Sequence, residues 1–425
     1  MESKFINKPE IITIKNLING RFVDSSDGSF FSVKSPFKEY DKKYEMLLSN
    51  STEADVDTAI ILSRNSFRNC QNIPLDKRLE ILNKVADEFL IDKKLLNIMS
   101  ALDGMPLSIQ EYKLKETKQL LKKIASDSYK KLKISHDDCM KELSERIAGI
   151  LVPSNEPREW AFFVGTLVMC GVPAVMKPSS RNPIVGIELI KKLLEYGYPS
   201  NALNIINFDI ESRHGLGRYL MLNVEIRVLM GSKLTSELLV QNDDGRLTQI
   251  YSADNSRVII DEDANLDLAL EGIKEGLYWP HSCLSPKNIY VIGKANYEII
   301  MSNLIKFYSE MHDSRGDITD PKTRLGLISQ KTLSSFADIL EHAYIHNEVE
   351  FFYPKEWSEF SSDISKPILV RAYYNPNHQL MTSPLPVYYV AVHLVDSLDE
   401  ALNHANKSTE YFKNMAAELF KRASV

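Results

Sequence analysis

The chain has 425 residues, 44% of them hydrophobic and 25% charged, with a formal net charge of -6 from 51 Lys and Arg against 57 Asp and Glu. That length fits two or three domains, each able to bury a core without disulfide staples, and the mild acidity argues against a nucleic-acid partner, which calls for a basic face. The four cysteines, Cys70, Cys139, Cys170 and Cys283, form no Cys-x-x-Cys pair and no zinc-ligand spacing with a histidine, so the expectation is no metal ion and reduced thiols in a cytoplasm.

The first residues, Met1 to Lys8, lack an apolar h-region, and no uninterrupted apolar run reaches the roughly 18 residues of a membrane span, so neither a signal peptide nor a membrane partner is expected. Residues 17–48 read as short strands and turns. From Thr52 to about Lys123 the pattern is helical. Ser51 or Thr52 can cap, and apolar positions recur from Ala54 to Phe67 and again from Leu75 to Leu90. Residues 126–146 carry Asp137, Asp138, Lys141, Glu142 and Glu145. They read as a bridging surface excursion or as a pair of extended strands.

After Ile147 the character changes. Ile147-Ala-Gly-Ile-Leu-Val-Pro is a short buried-strand pattern, followed by a helix-like run to Cys170. Pro173-Ala-Val-Met-Lys-Pro is a second strand, 184–197 a helix, Ala202-Leu-Asn-Ile-Ile a third strand, and Val224 to Leu229 a fourth that enters a turn at Gly231. The alternation resumes with Arg257–Ile260, the helix Leu266–Tyr278, Asn288–Ile292, Val387–Val395 and the helix Leu398–Asn406. Strands alternating with helices predict an α/β fold: two Rossmann-like domains with mostly parallel sheets covered by helices. The polar stretch Gln241-Asn-Asp-Asp-Gly places the boundary near Gly245. That gives one domain over 1–245 and a second over 246–425, which the resemblance described below makes the dinucleotide-binding domain and an apparently truncated catalytic domain.

Four segments carry the chemistry. Gly149-Ile-Leu-Val-Pro-Ser-Asn-Glu-Pro sets Asn155 in a turn after a strand, where a side-chain donor is fixed before reaction. Lys177, in Val-Met-Lys-Pro-Ser-Ser-Arg, ends a buried strand at the edge where open α/β sheets bind ligands. Gly231 allows close backbone approach, and Ser232 can cap a helix or donate to phosphate. Cys283, in His281-Ser-Cys-Leu-Ser-Pro-Lys, is a candidate nucleophile.

In this order the segments resemble the aldehyde dehydrogenase superfamily, and the resemblance covers most of the chain. Ile18-Asn-Gly-Arg-Phe-Val, Asp103-Gly-Met-Pro, Pro384-Leu-Pro-Val-Tyr-Tyr-Val and Asp399-Glu-Ala-Leu-Asn-His-Ala-Asn fit the family as well. The resemblance implies that Cys283 attacks a small-molecule aldehyde, gives up a hydride to a nicotinamide cofactor, NAD or NADP, and is left as a thioester. It implies that Asn155 holds the oxyanion. It places Pro153, Lys177, Ser179, Ser180, Arg181, Gly231 and Ser232 on the dinucleotide. Ser180 stands where the family has an acidic ribose contact, and Arg181 adds a cation, so NADP is expected to be tolerated at least as well as NAD.

The chain also departs from the family. Where the family carries its glutamate base, this sequence has Tyr251 by gapless alignment or Gln249 by distance to Cys283, and neither is a carboxylate. Thr382 replaces the glutamate that holds the nicotinamide ribose, and Asn207-Phe-Asp-Ile replaces a glycine-bearing loop. The sequence ends at Val425, so the family's last catalytic-domain strand and its oligomerisation strand have no counterpart; an oligomer is left open. Three readings follow: an NAD(P)-dependent aldehyde oxidoreductase, an acylating relative that passes its thioester to coenzyme A, and an inactive fold kept for binding. In the first, hydrolytic turnover is expected to be weak.

Overall fold

The computed structural model describes residues 9–143, 145–154, 156–231, 245–252, 255–282, 285–373, 375, 378–383 and 385–406, with 135–141 described by their backbone alone. The chain falls into two units, Met1–Ser252 and Ala253–Val425. This division lies past Gly245 because the strand Leu247–Ser252 pairs in parallel with Ile226–Gly231 of the first unit.

The first unit begins with β1 (Glu10–Ile14), β2 (Asn16–Ile18), β3 (Arg21–Val23), β4 (Phe30–Lys34) and β5 (Tyr44–Ser49). Four helices follow: α1 (Glu53–Gln71), α2 (Leu75–Glu88), α3 (Lys93–Asp103) and α4 (Leu107–Leu143). The alternating part comprises β6 (Ala148–Val152), α5 (Arg158–Cys170), β7 (Ala174–Pro178), α6 (Ile184–Glu195), β8 (Leu203–Ile205), α7 (Leu216–Leu222), β9 (Ile226–Gly231) and β10 (Leu247–Ser252). Strands β1, β5 and β4 form a small sheet. The large one has seven strands in the order β10-β9-β6-β7-β8-β2-β3. Its run from β10 to β8 is parallel, and β2 and β3 add antiparallel.

Local chemistry explains these elements. Thr52 caps α1 with Asp55 in a reciprocal capping box, and the Thr52 N–H donates to the Asp55 carboxylate at 2.8 Å. Strands β6 (AGILV) and β7 (AVMKP) are apolar at successive positions because helices cover both faces of a parallel sheet. Trp160 of α5 lies against Gly186 of α6; a Cβ at Gly186 would sit 2.3 Å from the indole, so glycine admits the contact. Arg78 of α2, 2% exposed, donates to the carbonyls of Cys70, Gln71, Ile73 and Met169. It thereby satisfies orphan acceptors at the C-terminal ends of both α1 and α5.

Residues 126–143 are not extended strands. They continue α4, whose buried positions Leu114, Leu121, Ala125 and Leu132 recur at helical spacing. The flanking Lys130, Lys131 and Lys133 are exposed, so this part of the charge run is the wet face of one long helix.

The second unit contains β11 (Ser256–Ile260), α8 (Leu266–Leu277), β12 (Pro286–Ile292), α9 (Lys294–Asp313), α10 (Gln330–Ile345), β13 (Val349–Tyr353), α11 (Trp357–Ser362), β14 (Ile368–Ala372), α12 (Gln379–Thr382), β15 (Tyr389–Val395) and a helix over 398–406. Its sheet runs β11-β12-β15-β14-β13, parallel except for the antiparallel edge strand β13. Successive residues of β15 serve opposite faces. Val390 and Val392 pack with Ile300 and Leu304 of α9, while Tyr389 and Ala391 pack with Leu333, Phe336 and Leu340 of α10. Both units therefore have the expected α/β class, with mostly parallel sheets between helices.

Candidate active site

Strand order locates the ligand-binding edge of the first unit. From β6 the chain steps to β7 and β8 on one side, then returns to the other side of β6 for β9 and β10. The order reverses between β6 and β9, and in open α/β sheets ligands bind outside the carboxyl ends of the strands at such a switch point. Register aligns the ends: Val152 faces Pro178, and Leu151 lies between Lys177 and Leu229. Pro153, Ser179 and Gly231 consequently share one carboxyl edge.

The loops after β6 and β7 are tied together there. The Ser179 N–H donates to Val152 O at 2.6 Å, and the Asn182 N–H to Ser179 O at 3.1 Å. The Asn182 side chain donates to Ser154 O at 3.4 Å and to Asp103 Oδ2 at 3.1 Å. Burial pushes the Asp103 carboxyl well above the usual range, against the pull of the Arg181 cation and of hydrogen bonds from Asn182 and Ser154. Arg181 itself is exposed. Ser179 and Ser180 are half-buried beside it.

The two ends of this edge differ in how they fit a dinucleotide. A Cβ added at Gly231 would meet no described atom within 4 Å. Lys177 is 7% exposed, with its ammonium 5.1 Å from the centroid of the Phe208 ring. Burial brings its pKa down to about 8, with the nearby Asp209 carboxylate opposing the shift. The Lys177 ammonium is therefore covered by the Phe208 ring, itself buried. Phe208 and Asp209 stand in the loop after β8, which the sequence reading set against a glycine-bearing loop.

Asn155, Ser232 and Cys283 lie outside the described residues. The flanks of Asn155 are firmly held. Ser154 is pinned by Asn182, and Glu156 by a two-pronged hydrogen bond from Arg158, 2.9 Å at each nitrogen, with Lys113 at 3.5 Å. Next on α5, Glu159 is buried and its pKa is pushed up to about 9, by burial first and by the Glu156 charge second, with Arg158 opposing. Its Oε2 finds no hydrogen-bond partner among the described residues. Near Cys283 in sequence, His281 packs its ring on Trp279, centroids 4.8 Å apart. Lys287 is wholly buried and donates to Pro280 O and Val387 O at 3.3 and 2.9 Å; burial lowers its pKa to about 7. Sequence reasoning passed over Glu159, Asn182, Asp209 and Lys287. A lone acid inside the apolar run Glu159-Trp-Ala-Phe-Phe-Val was the available signal for Glu159.

The residues expected to stand where the family has its carboxylates also have places. Gln249 and Tyr251 are exposed on β10, with the Tyr251 ring edge-on to Phe162 at 6.3 Å. Thr382 is 5% exposed, and its hydroxyl donates to His378 O at 3.1 Å, so it is engaged within α12.

Comparison with known proteins follows the same pattern. The aldehyde dehydrogenase family model matches residues 22–412. Aldehyde dehydrogenase 1A1 of Mus musculus is 26% identical over 299 residues, covering 65% of this chain and 58% of its own length. The aligned segments span between 45% and 60% of the curated relatives they match. Among solved structures, the NAD-dependent aldehyde dehydrogenase from Sinorhizobium meliloti is similar with a TM-score of 0.76 at 20% identity, over 95% of this chain and 82% of that one. An aldehyde dehydrogenase from Bacillus cereus, solved as an NAD+ complex, gives 0.72 at 19% identity over the same shares.

Proposed function

The chain belongs to the aldehyde dehydrogenase family, and from that premise we propose that it oxidises a small-molecule aldehyde with a nicotinamide dinucleotide through a thiol at Cys283. The observation that carries this reading is the shared carboxyl edge of β6, β7 and β9 at the switch point, with Gly231 at its rim. Bound there, the dinucleotide supplies the acceptor for the hydride that leaves the aldehyde carbon.

This chain's residues divide the remaining work. Gly231 and Ser232 receive the phosphates, Pro153 borders them, and Lys177, Ser179 and Ser180 face the adenosine ribose. Arg181 carries a cation beside that ribose, which supports NADP being accepted at least as well as NAD. The Cys283 sulfur attacks the aldehyde carbon, and the carbonyl oxygen becomes an oxyanion that the Asn155 amide stabilises. After oxidation the acyl group rests on sulfur as a thioester. Its release to water is slow, because neither Gln249 nor Tyr251 offers a carboxylate to take the water's proton. Coenzyme A would bypass that need, since its own thiol displaces Cys283. The buried free thiol of Cys70 supports a reducing compartment such as the cytoplasm. Among the described residues no helix is long and apolar enough to cross a membrane.

A second reading, binding without turnover, is favoured by the cover of Phe208 over Lys177 and by the burial of Thr382. Mass spectrometry separates the two. The chain is incubated with a panel of aldehydes and either dinucleotide, quenched in acid and weighed intact. The expected result is an acyl adduct that Cys283→Ser abolishes. No adduct with any aldehyde, together with no dinucleotide binding, replaces the first reading with the second.

A further inference from the structure

Three side chains, none of them assigned above to the dinucleotide or the aldehyde, meet in the second unit. His342 lies in the last turn of α10, Glu348 just before β13, and His378 caps α12. One ligand atom from each lies within 4.8 Å of the other two. His378 Nε2 is 3.5 Å from Glu348 Oε2, and the His342 and His378 rings are 5.5 Å apart at their centroids.

The carboxylate is held for this arrangement. The Asn375 side chain donates to Glu348 Oε1 at 2.7 Å. That turns Oε2 toward the imidazoles, where it is buried and finds no hydrogen-bond donor among the described residues. The backbone of Glu348 is fixed on both sides: its N–H donates to Ala343 O of α10 at 2.8 Å, and its carbonyl accepts from the Tyr373 N–H at 2.9 Å. A buried carboxylate oxygen without a donor calls for a positive partner.

We propose that His342, Glu348 and His378 form a binding site for a divalent transition cation of the zinc class. Two imidazoles and one carboxylate suit zinc, cobalt or nickel, whereas magnesium and calcium prefer all-oxygen sets. Three protein ligands leave a fourth position to water. Tetrahedral zinc spaces its ligand atoms roughly 3.3 Å apart. The Glu348–His378 pair already approaches that spacing, and the exposed His342 closes the rest by a side-chain rotation. The cation joins α10, the start of β13 and α12. It also has a cost: the Leu380 N–H donates to His378 Nδ1 at 3.1 Å, and metal on Nε2 puts the ring proton on Nδ1. Losing one cap weakens binding roughly five- to tenfold relative to an unencumbered site.

The test uses the full chain, stripped with a chelator and titrated with Zn2+ by calorimetry and with Co2+ by visible absorption. The expected result is one ion per chain on nitrogen and oxygen ligands, and at least a tenfold loss of affinity in both His342→Ala and Glu348→Gln. His214→Ala, outside the cluster, is expected to match the parent. Thermal melts check that the variants fold. Absence of binding overturns the proposal. So does binding that neither variant weakens, or a thiolate-to-cobalt charge-transfer band, which would put the ion on a cysteine.

Discussion

Glu159 ties the residue scale to a measurable quantity. Folded, it titrates at about 9 against an ordinary 4.5. Between those values the folded chain keeps a proton that the unfolded chain releases. Its stability contribution is therefore full below the unfolded pKa and is lost as pH rises through the folded one. Glu159→Gln keeps the shape and removes the titration. It should stabilise the chain at neutral pH by an amount on the order of 2–3 kcal/mol, and by much less near the unfolded pKa. Denaturant melts at the two pH values check this; an equal effect at both would contradict it. Arg181 supports a second prediction. Arg181→Ala should weaken NADP about tenfold and leave NAD nearly unchanged, since a charge-assisted contact to phosphate is lost. Titration of both dinucleotides decides it, and parallel changes would mean that Arg181 does not read the phosphate. The place of Lys177 at a strand's end was legible in the sequence. Its burial was not, because Phe208 arrives from a loop some thirty residues further along the chain.

At the scale of elements, short, largely apolar runs announced β6, β7, β9, β12 and β15, since strands covered on both faces lose the apolar–polar alternation of a half-exposed strand. The same logic failed for α4. Its charges drew attention, whereas the signal was the spacing of Leu114, Leu121, Ala125 and Leu132. Arg78 was illegible for a different reason. A charged residue at the start of an amphipathic helix normally faces water, and nothing local shows that the ends of α1 and α5 converge on it. Arg78→Met should destabilise the chain by about 3–5 kcal/mol, because it strips buried carbonyls of their donor. Urea unfolding of the variant tests this, and a loss within experimental error of zero would mean that water replaces the guanidinium.

For the whole molecule, the α/β class and the order of motifs were readable because collinear segments reinforce one another. The division between units was less so, since β10 reads as a polar continuation until its pairing with β9 is seen. The family model shows the family and the solved structures share the fold, and on the proposed reading the retained apolar framework contrasts with Gln249, Tyr251 and Thr382 at positions expected to carry carboxylates. The central claim is that acyl transfer to Cys283 survives while release to water does not. Rapid-mixing measurement of reduced dinucleotide, with an aldehyde that acylates the chain, tests it most directly. The account predicts a burst approaching one equivalent per chain, then slow turnover, weaker by about 10²–10⁴-fold than with a positioned base. Rapid, steady turnover to free acid in the absence of coenzyme A would contradict it and would mean that another residue serves as the base.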